Sequence, residues 1–354
     1  MRSVEVPAFD VIRNPPQAVP LMTKCEGLRS NRKELKTDEK MKKFLKFAIS
    51  TSLLAVIFMA LIFVGIVKFP SGTFHQSYQS LIQDKYDQLI NTNEPKIIFV
   101  AGSSSTFGLD QAMLEQASGK KVVNLGLHAG FGPIFYSEIS KANINPGDIV
   151  LLGYEYNWYP ENGFDMVGTE LIMTGIDDRI ELYKFIPFRK WPSFLGYLFT
   201  YATQKNYHIP PTGAYSREAF DPVTSQYIYE RNEKMDYEAI KDNFERIDLK
   251  DAVISENSVK YLKEYKEFVE SKGASVYFVA PPIIENTVVC DKEDFRIFAR
   301  QEEEKIGIPF ISDPSDYMFP EELMYDALYH CNTEGEKVRT QMLIEDLKKA
   351  GVIK

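Results

Sequence analysis

Apolar residues occur along the chain in two distinct patterns. The first is a long uninterrupted run, in which no charged residue lies between Phe47 and Val67. A run of that length can cross the hydrocarbon core of a bilayer as an α-helix, the form in which a single segment satisfies its own backbone hydrogen bonds. The run therefore predicts a transmembrane helix over 47–68, with residues 47–67 in contact with lipid. A buried core helix and a cleaved signal peptide are the alternatives, although no small-residue cleavage pattern follows Val67.

The second pattern is an alternation of short apolar runs with amphipathic segments beyond residue 95. Strands are predicted at 96–100, 121–126, 148–156, 274–281 and 309–311. Helices are predicted at 76–91, 110–117, 133–141, 256–272, 291–306 and 333–349. Alternating strands and helices predict an α/β domain over 96–354, with a mostly parallel sheet flanked by helices. In such a sheet, ligands bind where the strands end, so the residues that follow each strand are the ones to inspect.

Two regions do not follow this alternation. Residues 69–95 link the apolar run to the domain and are predicted to form a stalk, helical in its second half. Residues 159–251 are rich in aromatic side chains, among them Tyr183, Trp191 and Tyr215, and are predicted to be an insertion. These aromatic residues either form a small core of their own or cover the site as a substrate-binding cap.

The distribution of charge predicts how the chain is oriented. Residues 1–46 carry eleven Lys and Arg against six Asp and Glu, whereas no charged residue occurs between Lys68 and Asp84. Lys and Arg favour the cytoplasmic flank of a membrane helix. We therefore expect a single-pass protein of the cytoplasmic membrane, with a disordered basic tail over 1–46 inside and the large domain outside. Met41 is an alternative start.

The remainder of the chain is acidic, since the whole chain carries −9 and the tail carries +5. An acidic domain argues against nucleic acid as a partner. The cysteines form no C-x-x-C pair, and neither nucleotide-binding glycine motif is present. We therefore expect no cofactor and no structural metal. Cys290 and Cys331 would both lie outside, where a disulfide between them is permitted.

Two segments contain residues suited to nucleophilic catalysis. The first strand leads into a serine-rich turn over 101–106, where a serine hydroxyl could be exposed beside backbone N–H groups that stabilise an anion. A plain turn or capping role is the alternative. Near the C-terminus, Asp326 and His330 share one loop before the last helix. Histidine can accept a serine proton while a carboxylate orients it. His128, after the second strand, is a further candidate base.

These motifs, in this order, resemble a known family. Gly102-Ser103-Ser104 after the first strand, Asn124-Leu125-Gly126 after the second, and the run from Asp326 to Gly335 are similar to the SGNH (GDSL-like) hydrolase superfamily. The closest likeness is to its membrane-anchored branch, in which G-S-S replaces G-D-S. That branch includes the D-alanine transfer protein of lipoteichoic-acid modification and polysaccharide O-acetylation proteins. The resemblance covers roughly 96–349, without the insertion, and implies a flavodoxin-like three-layer fold.

The resemblance also implies roles for individual residues. Ser104 matches the nucleophile, His330 the general base and Asp326 its orienting acid. The backbone N–H groups of Ser104 and Gly126 match oxyanion-hole donors. The family places the acid three residues before the histidine, whereas Asp326 lies four before His330.

The third motif of the family, G-x-N-D, is absent after the third strand, where Gly153-Tyr154-Glu155-Tyr156-Asn157 occurs instead. Asn157 is accordingly the candidate for the third oxyanion donor. Glu155 is interpreted as a structural or substrate-contacting acid.

Two functional hypotheses follow from the resemblance. The first is serine-dependent acyl transfer or ester hydrolysis outside the membrane, on an envelope glycan or a teichoic-acid-like polymer. The second is a non-catalytic, membrane-tethered accessory protein that binds envelope glycan or scaffolds a membrane O-acyltransferase. An envelope esterase that works alone is a variant of the first.

Overall fold

The computed structural model describes residues 22–69, 73–159, 163–205 and 212–354. The chain divides into two units, Met1–Ile62 and Phe63–Lys354. The α-helices are α1 Met22–Lys68, α2 Leu81–Asn91, α3 Ser103–Thr106, α4 Gln111–Ser118, α5 Pro133–Ser140, α6 Thr169–Ile176, α7 Trp191–Gln204, α8 Tyr237–Ile240, α9 Glu256–Ser271, α10 Lys292–Ile306 and α11 Thr333–Lys349. The strands are β1 Lys96–Ala101, β2 Lys121–Asn124, β3 Ile149–Gly153, β4 Ser275–Phe278, β5 Ile283–Ile284 and β6 Met318–Phe319.

The predicted α/β domain with a parallel sheet is confirmed. Its main sheet has four strands in the order β2-β1-β3-β4, and every pair is parallel. β1 is central, so its carboxyl end lies between those of β2 and β3. The predicted strand at 309–311 contributes one parallel bridge, between Phe278 and Phe310, and no longer ladder. A separate two-stranded sheet pairs β5 with β6.

Helices cover both faces of the main sheet, because successive side chains of each strand point in opposite directions. Ile98 and Val100 of β1 belong to the larger core, together with residues of α2, α5 and α9. Ile97 and Phe99 of β1 face the other way, into a smaller core with residues of α4 and α11. All four side chains are fully buried, as expected of a parallel sheet between two helical layers.

The apolar run near the N-terminus is one long helix. Among the described residues, α1 alone is long and apolar enough to cross a membrane; the mean hydropathy of its most apolar window is 2.6, and 6% of that window is buried. The helix begins at Met22, which corrects the predicted disordered tail over 22–46. Lys and Glu are good helix formers, and Asp38 pairs with Lys42 one turn later at 2.9 Å. Residues 1–21 lie outside the described part.

The predicted stalk is instead part of the domain. α2 begins at Leu81 rather than at residue 76, and Ile82 and Leu89 are fully buried in the larger core. The Nζ of Lys85 donates to the Asn124 carbonyl at the end of β2, at 2.8 Å. A segment that buries this much apolar surface behaves as a structural helix of the fold.

The insertion shares the core of the domain. Its aromatic residues Tyr183 and Tyr201 are buried in the larger core, which also contains residues of α2 and α5. Phe188 and Phe199 remain exposed. The described residues of the insertion therefore pack into the core of the domain rather than into one of their own. One of them, Tyr215, reaches the candidate site described next.

Candidate active site

The serine-rich turn follows β1 at the centre of the sheet edge. The hydroxyl of Ser105 donates to Asn124 Oδ1 at 2.8 Å and to the Gly102 carbonyl at 3.2 Å. The hydroxyl of Thr106 donates to the Gly126 carbonyl at 2.7 Å. A Cβ at Gly126 would overlap Ser105 Oγ and the Gly102 carbonyl, so glycine is required there. Ser105 and Thr106 thus hold the turn against the end of β2.

Glu155, which follows β3, fixes the other side of the turn. Its Oε1 accepts the Ser104 backbone N–H at 3.0 Å and lies 3.5 Å from Ser103 Oγ. A Cβ on Gly102 would lie 2.6 Å from the same Oε1, which explains the glycine at that position. Ala101 of β1 pairs with Gly153 of β3, so the residues after both strands necessarily meet.

The carboxyl group of Glu155 is held in an unusual environment. The side chain is 1% exposed, and burial raises its pKa above the usual value of 4.5. The Ser104 N–H, the charge of His330 and the hydroxyls of Ser103 and Ser104 lower that pKa by less than burial raises it. Glu155 is therefore the buried acid that contacts the serine turn.

Asp326 and His330, the candidate acid and base, contact each other in the C-terminal loop. His330 Nδ1 lies 2.8 Å from Asp326 Oδ1. The backbone explains how a spacing of four residues is accommodated, since His330 N–H donates to the Ala327 carbonyl and Tyr325 N–H to the His330 carbonyl. An antiparallel bridge between Met324 and Cys331 closes this loop. After the loop, the N-cap of α11 is Asn332, whose side chain accepts the Gly335 N–H.

Tyr215 of the insertion contacts both members of this pair. Its hydroxyl donates to Asp326 Oδ2 at 2.7 Å and lies 3.2 Å from His330 Nδ1. Burial raises the pKa of Asp326, but hydrogen bonds and charge from His330, together with the Tyr215 hydroxyl, outweigh burial and leave that pKa below 3.8. Burial and the nearby Asp326 charge raise the pKa of Tyr215. At neutral pH these directions favour an ionised Asp326 carboxylate and a protonated Tyr215 hydroxyl that donates to it.

The fold brings the C-terminal loop to the serine turn across a long stretch of sequence. Phe107, three residues after Ser104, stacks on the His330 ring with centroids 4.1 Å apart. Cys331 Sγ and the Ser104 carbonyl both lie within 4 Å of the position that a Cβ on Gly108 would take. In the described part of the chain, however, no hydrogen bond joins the Ser104 hydroxyl to His330. Ser104 is also 1% exposed, whereas the sequence predicted an exposed hydroxyl; contact with buried Glu155 accounts for the difference.

The candidate oxyanion donors have internal acceptors. The Ser104 N–H donates to Glu155, and the Gly126 N–H donates to Asn124 Oδ1 at 3.0 Å. Asn157 lies in the turn after β3 with its side chain exposed, and in the described part that side chain makes no hydrogen bond to the serine turn. The roles of Ser104, Gly126 and Asn157 as oxyanion donors remain predictions.

His128, the further candidate base, and the two cysteines make local structural contacts. His128 Nδ1 accepts the Gly130 N–H at 3.0 Å and caps a short 3-10 turn. Burial and the charge of His330 lower the His128 pKa. Cys290 and Cys331 are free thiols, so the disulfide that the sequence permits between them is not formed. Cys331 packs against Gly108, whereas Cys290 Sγ accepts the Leu249 N–H at 3.2 Å.

Sequence reasoning missed the contact of Tyr215 with Asp326 and His330, and it gave Glu155 only a general role as a structural or substrate-contacting acid. Nothing near Tyr215 in the sequence singles it out from the other aromatic residues of the insertion. Glu155 had a usable signal, because it follows a strand that neighbours β1, and the ends of neighbouring parallel strands share one edge of the sheet.

Comparisons with known proteins do not identify a family. No family model matches the chain, and no curated protein matches it.

Proposed function

We propose that this chain is a membrane-anchored, SGNH-like serine enzyme that transfers an acyl group or hydrolyses an ester. The observation that carries the proposal is the Asp326–His330 pair, held at 2.8 Å beside the serine turn. Ser104, His330 and Asp326 would be nucleophile, base and orienting acid. A parallel sheet with helices on both faces, and a site at its carboxyl edge, are features that such a fold would share. Fold likeness supports a reaction class and does not name a substrate.

The contacts of His330 define how the proton would move. Nδ1 faces the Asp326 carboxylate, so Nδ1 carries the hydrogen and Nε2 is the basic nitrogen. Nε2 takes the Ser104 proton as Oγ bonds to the acyl carbon, and it returns that proton to the leaving oxygen as the acyl–oxygen bond breaks. A hydroxyl of an acceptor, or water, then attacks the acyl carbon of the acyl-serine and gives its proton to Nε2. Nε2 returns that proton to Ser104 Oγ as the bond between Oγ and the acyl carbon breaks, which restores the starting state.

The Glu155 contact imposes a condition on this cycle. Its carboxylate occupies the Ser104 N–H, the donor that would stabilise the tetrahedral oxyanion. For catalysis, the Ser104 hydroxyl must meet His330, and the Ser104 N–H must be released from Glu155 to become available to substrate. Substrate binding would supply the energy for that change.

The anchor and its basic N-terminal flank support the proposed location, and the resemblance supports the substrate class. With its N-terminus inside, the domain faces the envelope, where glycans and teichoic-acid-like polymers carry acylated hydroxyls. A membrane O-acyltransferase would be the partner that provides the acyl group.

The second candidate is a non-catalytic accessory protein that binds envelope glycan or scaffolds such an acyltransferase. It is favoured by the buried Ser104 and by the engagement of both predicted oxyanion donors with internal acceptors.

Active-site labelling separates the two candidates. The full chain in detergent micelles would be treated with a fluorophosphonate probe and assayed with p-nitrophenyl acetate. We expect labelling and turnover in the native chain, and loss of at least about 10³-fold of turnover in Ser104→Ala. Ser103→Ala is the matched control, because Ser103 lies in the same turn and also contacts Glu155. It should keep both labelling and turnover, because Ser103 is not the proposed nucleophile. Equal labelling of the native chain and Ser104→Ala, or none in either, would favour the accessory protein.

A further inference from the structure

A second cluster of ligating side chains lies between the end of α1 and the insertion. His75 lies in the 3-10 turn Thr73–Gln76, and Asp177 and Asp178 follow α6. His75 Nε2 is 3.4 Å from Asp177 Oδ2 and 3.4 Å from Asp178 Oδ1. The three ligand atoms lie within 4.8 Å of one another. All three residues are distant in sequence from the candidate catalytic residues.

The two oxygens of Asp177 have different surroundings. The residue is fully buried. Its Oδ1 accepts the Tyr201 hydroxyl and lies 3.8 Å from Lys205 Nζ. Its Oδ2 makes no hydrogen bond within the described part of the chain, and this is the oxygen that faces His75. A buried carboxylate oxygen without a hydrogen bond is costly, so a ligand at this oxygen would remove a penalty.

We propose that His75 Nε2, Asp177 Oδ2 and Asp178 Oδ1 bind one divalent transition-metal cation, of the Zn²⁺ or Mn²⁺ class. Tetrahedral ligands about 2.1 Å from zinc stand about 3.4 Å apart, which matches both histidine–carboxylate separations. One imidazole with two carboxylates suits zinc and manganese, whereas magnesium and calcium prefer oxygen ligands alone. The side chain of His75 is 43% exposed, so water can complete the coordination.

The position of the cluster gives the cation a structural role. Lys205 Nζ, beside Asp177, donates to the carbonyls of Val67 at 2.9 Å and Ile66 at 3.4 Å. These carbonyls belong to the last turn of α1, where carbonyl groups lack partners within the helix. A cation on Asp177 and Asp178 would join the start of the domain, at His75, to the insertion that caps α1. The proposal is independent of the acyl-transfer function.

Metal binding to the full chain in detergent micelles tests the proposal. The chain would be stripped with EDTA, dialysed, and titrated with ZnCl₂, MnCl₂ and MgCl₂ by calorimetry, with thermal unfolding measured in parallel. We expect one Zn²⁺ per chain, weaker Mn²⁺ binding, no Mg²⁺ binding, and a higher Tm with Zn²⁺. His75→Ala and Asp178→Asn should each weaken Zn²⁺ binding at least tenfold and lose the Tm increase.

The controls distinguish a specific site from adventitious binding. Asp165→Asn removes another acid of the insertion, one paired with Arg189, and should bind Zn²⁺ like the native chain. Metal-free His75→Ala and Asp178→Asn should unfold at temperatures close to that of the metal-free native chain, which shows that they fold. Unchanged Zn²⁺ affinity in both variants would overturn the proposal. So would a native chain that binds neither Zn²⁺ nor Mn²⁺, in which case the three residues form only an ion pair.

Discussion

Two carboxylic acids contact the candidate site from different regions, and their surroundings give them opposite properties. The side chain of Asp326 is 33% exposed, lies in the C-terminal loop and has a lowered pKa beside His330 and Tyr215. Glu155 is 1% exposed, follows β3 and has a pKa raised by burial. The comparison shows that environment rather than residue type assigns their roles. Asp326 is suited to remain charged and orient a base, and Glu155 is suited to hold the backbone of the turn.

The largest expected effect comes from the loop acid. Asp326→Asn keeps the shape of the side chain but removes the charge that holds the Nδ1 hydrogen of His330. We expect kcat to fall by roughly 10³–10⁴-fold with little change in KM, because the imidazole loses its orientation and its stabilised charged form. Steady-state kinetics on p-nitrophenyl acetate would measure this. A loss smaller than about tenfold would mean that His330 works without Asp326.

The same substitution has a signature in the pH dependence of stability. The folded-state pKa of Asp326 is below 3.8, so its contribution to stability is fully present above the unfolded value and is lost as pH falls through the folded value. The stability difference between the native chain and Asp326→Asn should therefore disappear in acid.

The sequence was sufficient for the parts of this comparison that depend on local patterns. β1, β3 and β4 coincide with apolar runs rich in β-branched residues, and the Asp326–His330 pair lies in one short loop. It was insufficient where distant segments meet. The Tyr215 contact depends on the path of an insertion with no periodic pattern, and the extent of α1 depends on helix propagation beyond the apolar run. Glu155 lies between these cases, because the pairing of Ala101 with Gly153 implied its position once the strand order was known.

A smaller effect is expected from the buried acid, and it concerns stability. Glu155→Gln keeps an oxygen acceptor for the Ser104 N–H but removes a charge that burial disfavours. We expect the free energy of unfolding at pH 7 to rise by about 1 kcal/mol, which is roughly 2–4 °C in Tm for a domain of about 150–250 residues and less for a larger one. Thermal unfolding of the full chain would measure this.

The direction of the pH dependence sharpens the contrast with Asp326. The folded-state pKa of Glu155 lies above its ordinary value of 4.5, so the folded chain binds the proton more tightly than the unfolded chain. The stability of the native chain therefore declines as pH rises from the ordinary pKa to the folded-state pKa. The advantage of Glu155→Gln should grow over that interval and then stay constant. An advantage that instead shrinks with rising pH would mean that Glu155 is stabilised as a carboxylate.

The smaller of the two effects on kcat is expected at Tyr215, which couples the insertion to the loop acid. Tyr215→Phe removes one hydrogen bond to Asp326 Oδ2 and leaves the ring in place. A hydrogen bond to a charged group contributes on the order of 1.5 kcal/mol, so kcat should fall roughly tenfold while KM stays unchanged. The folded-state pKa of Asp326 should also rise, because Asp326 loses a donor that lowers it. Tyr227→Phe is the matched control, since its hydroxyl donates to the Ala214 carbonyl rather than to the pair. If both variants behave alike, Tyr215 contributes packing only, and the insertion does not tune the acid.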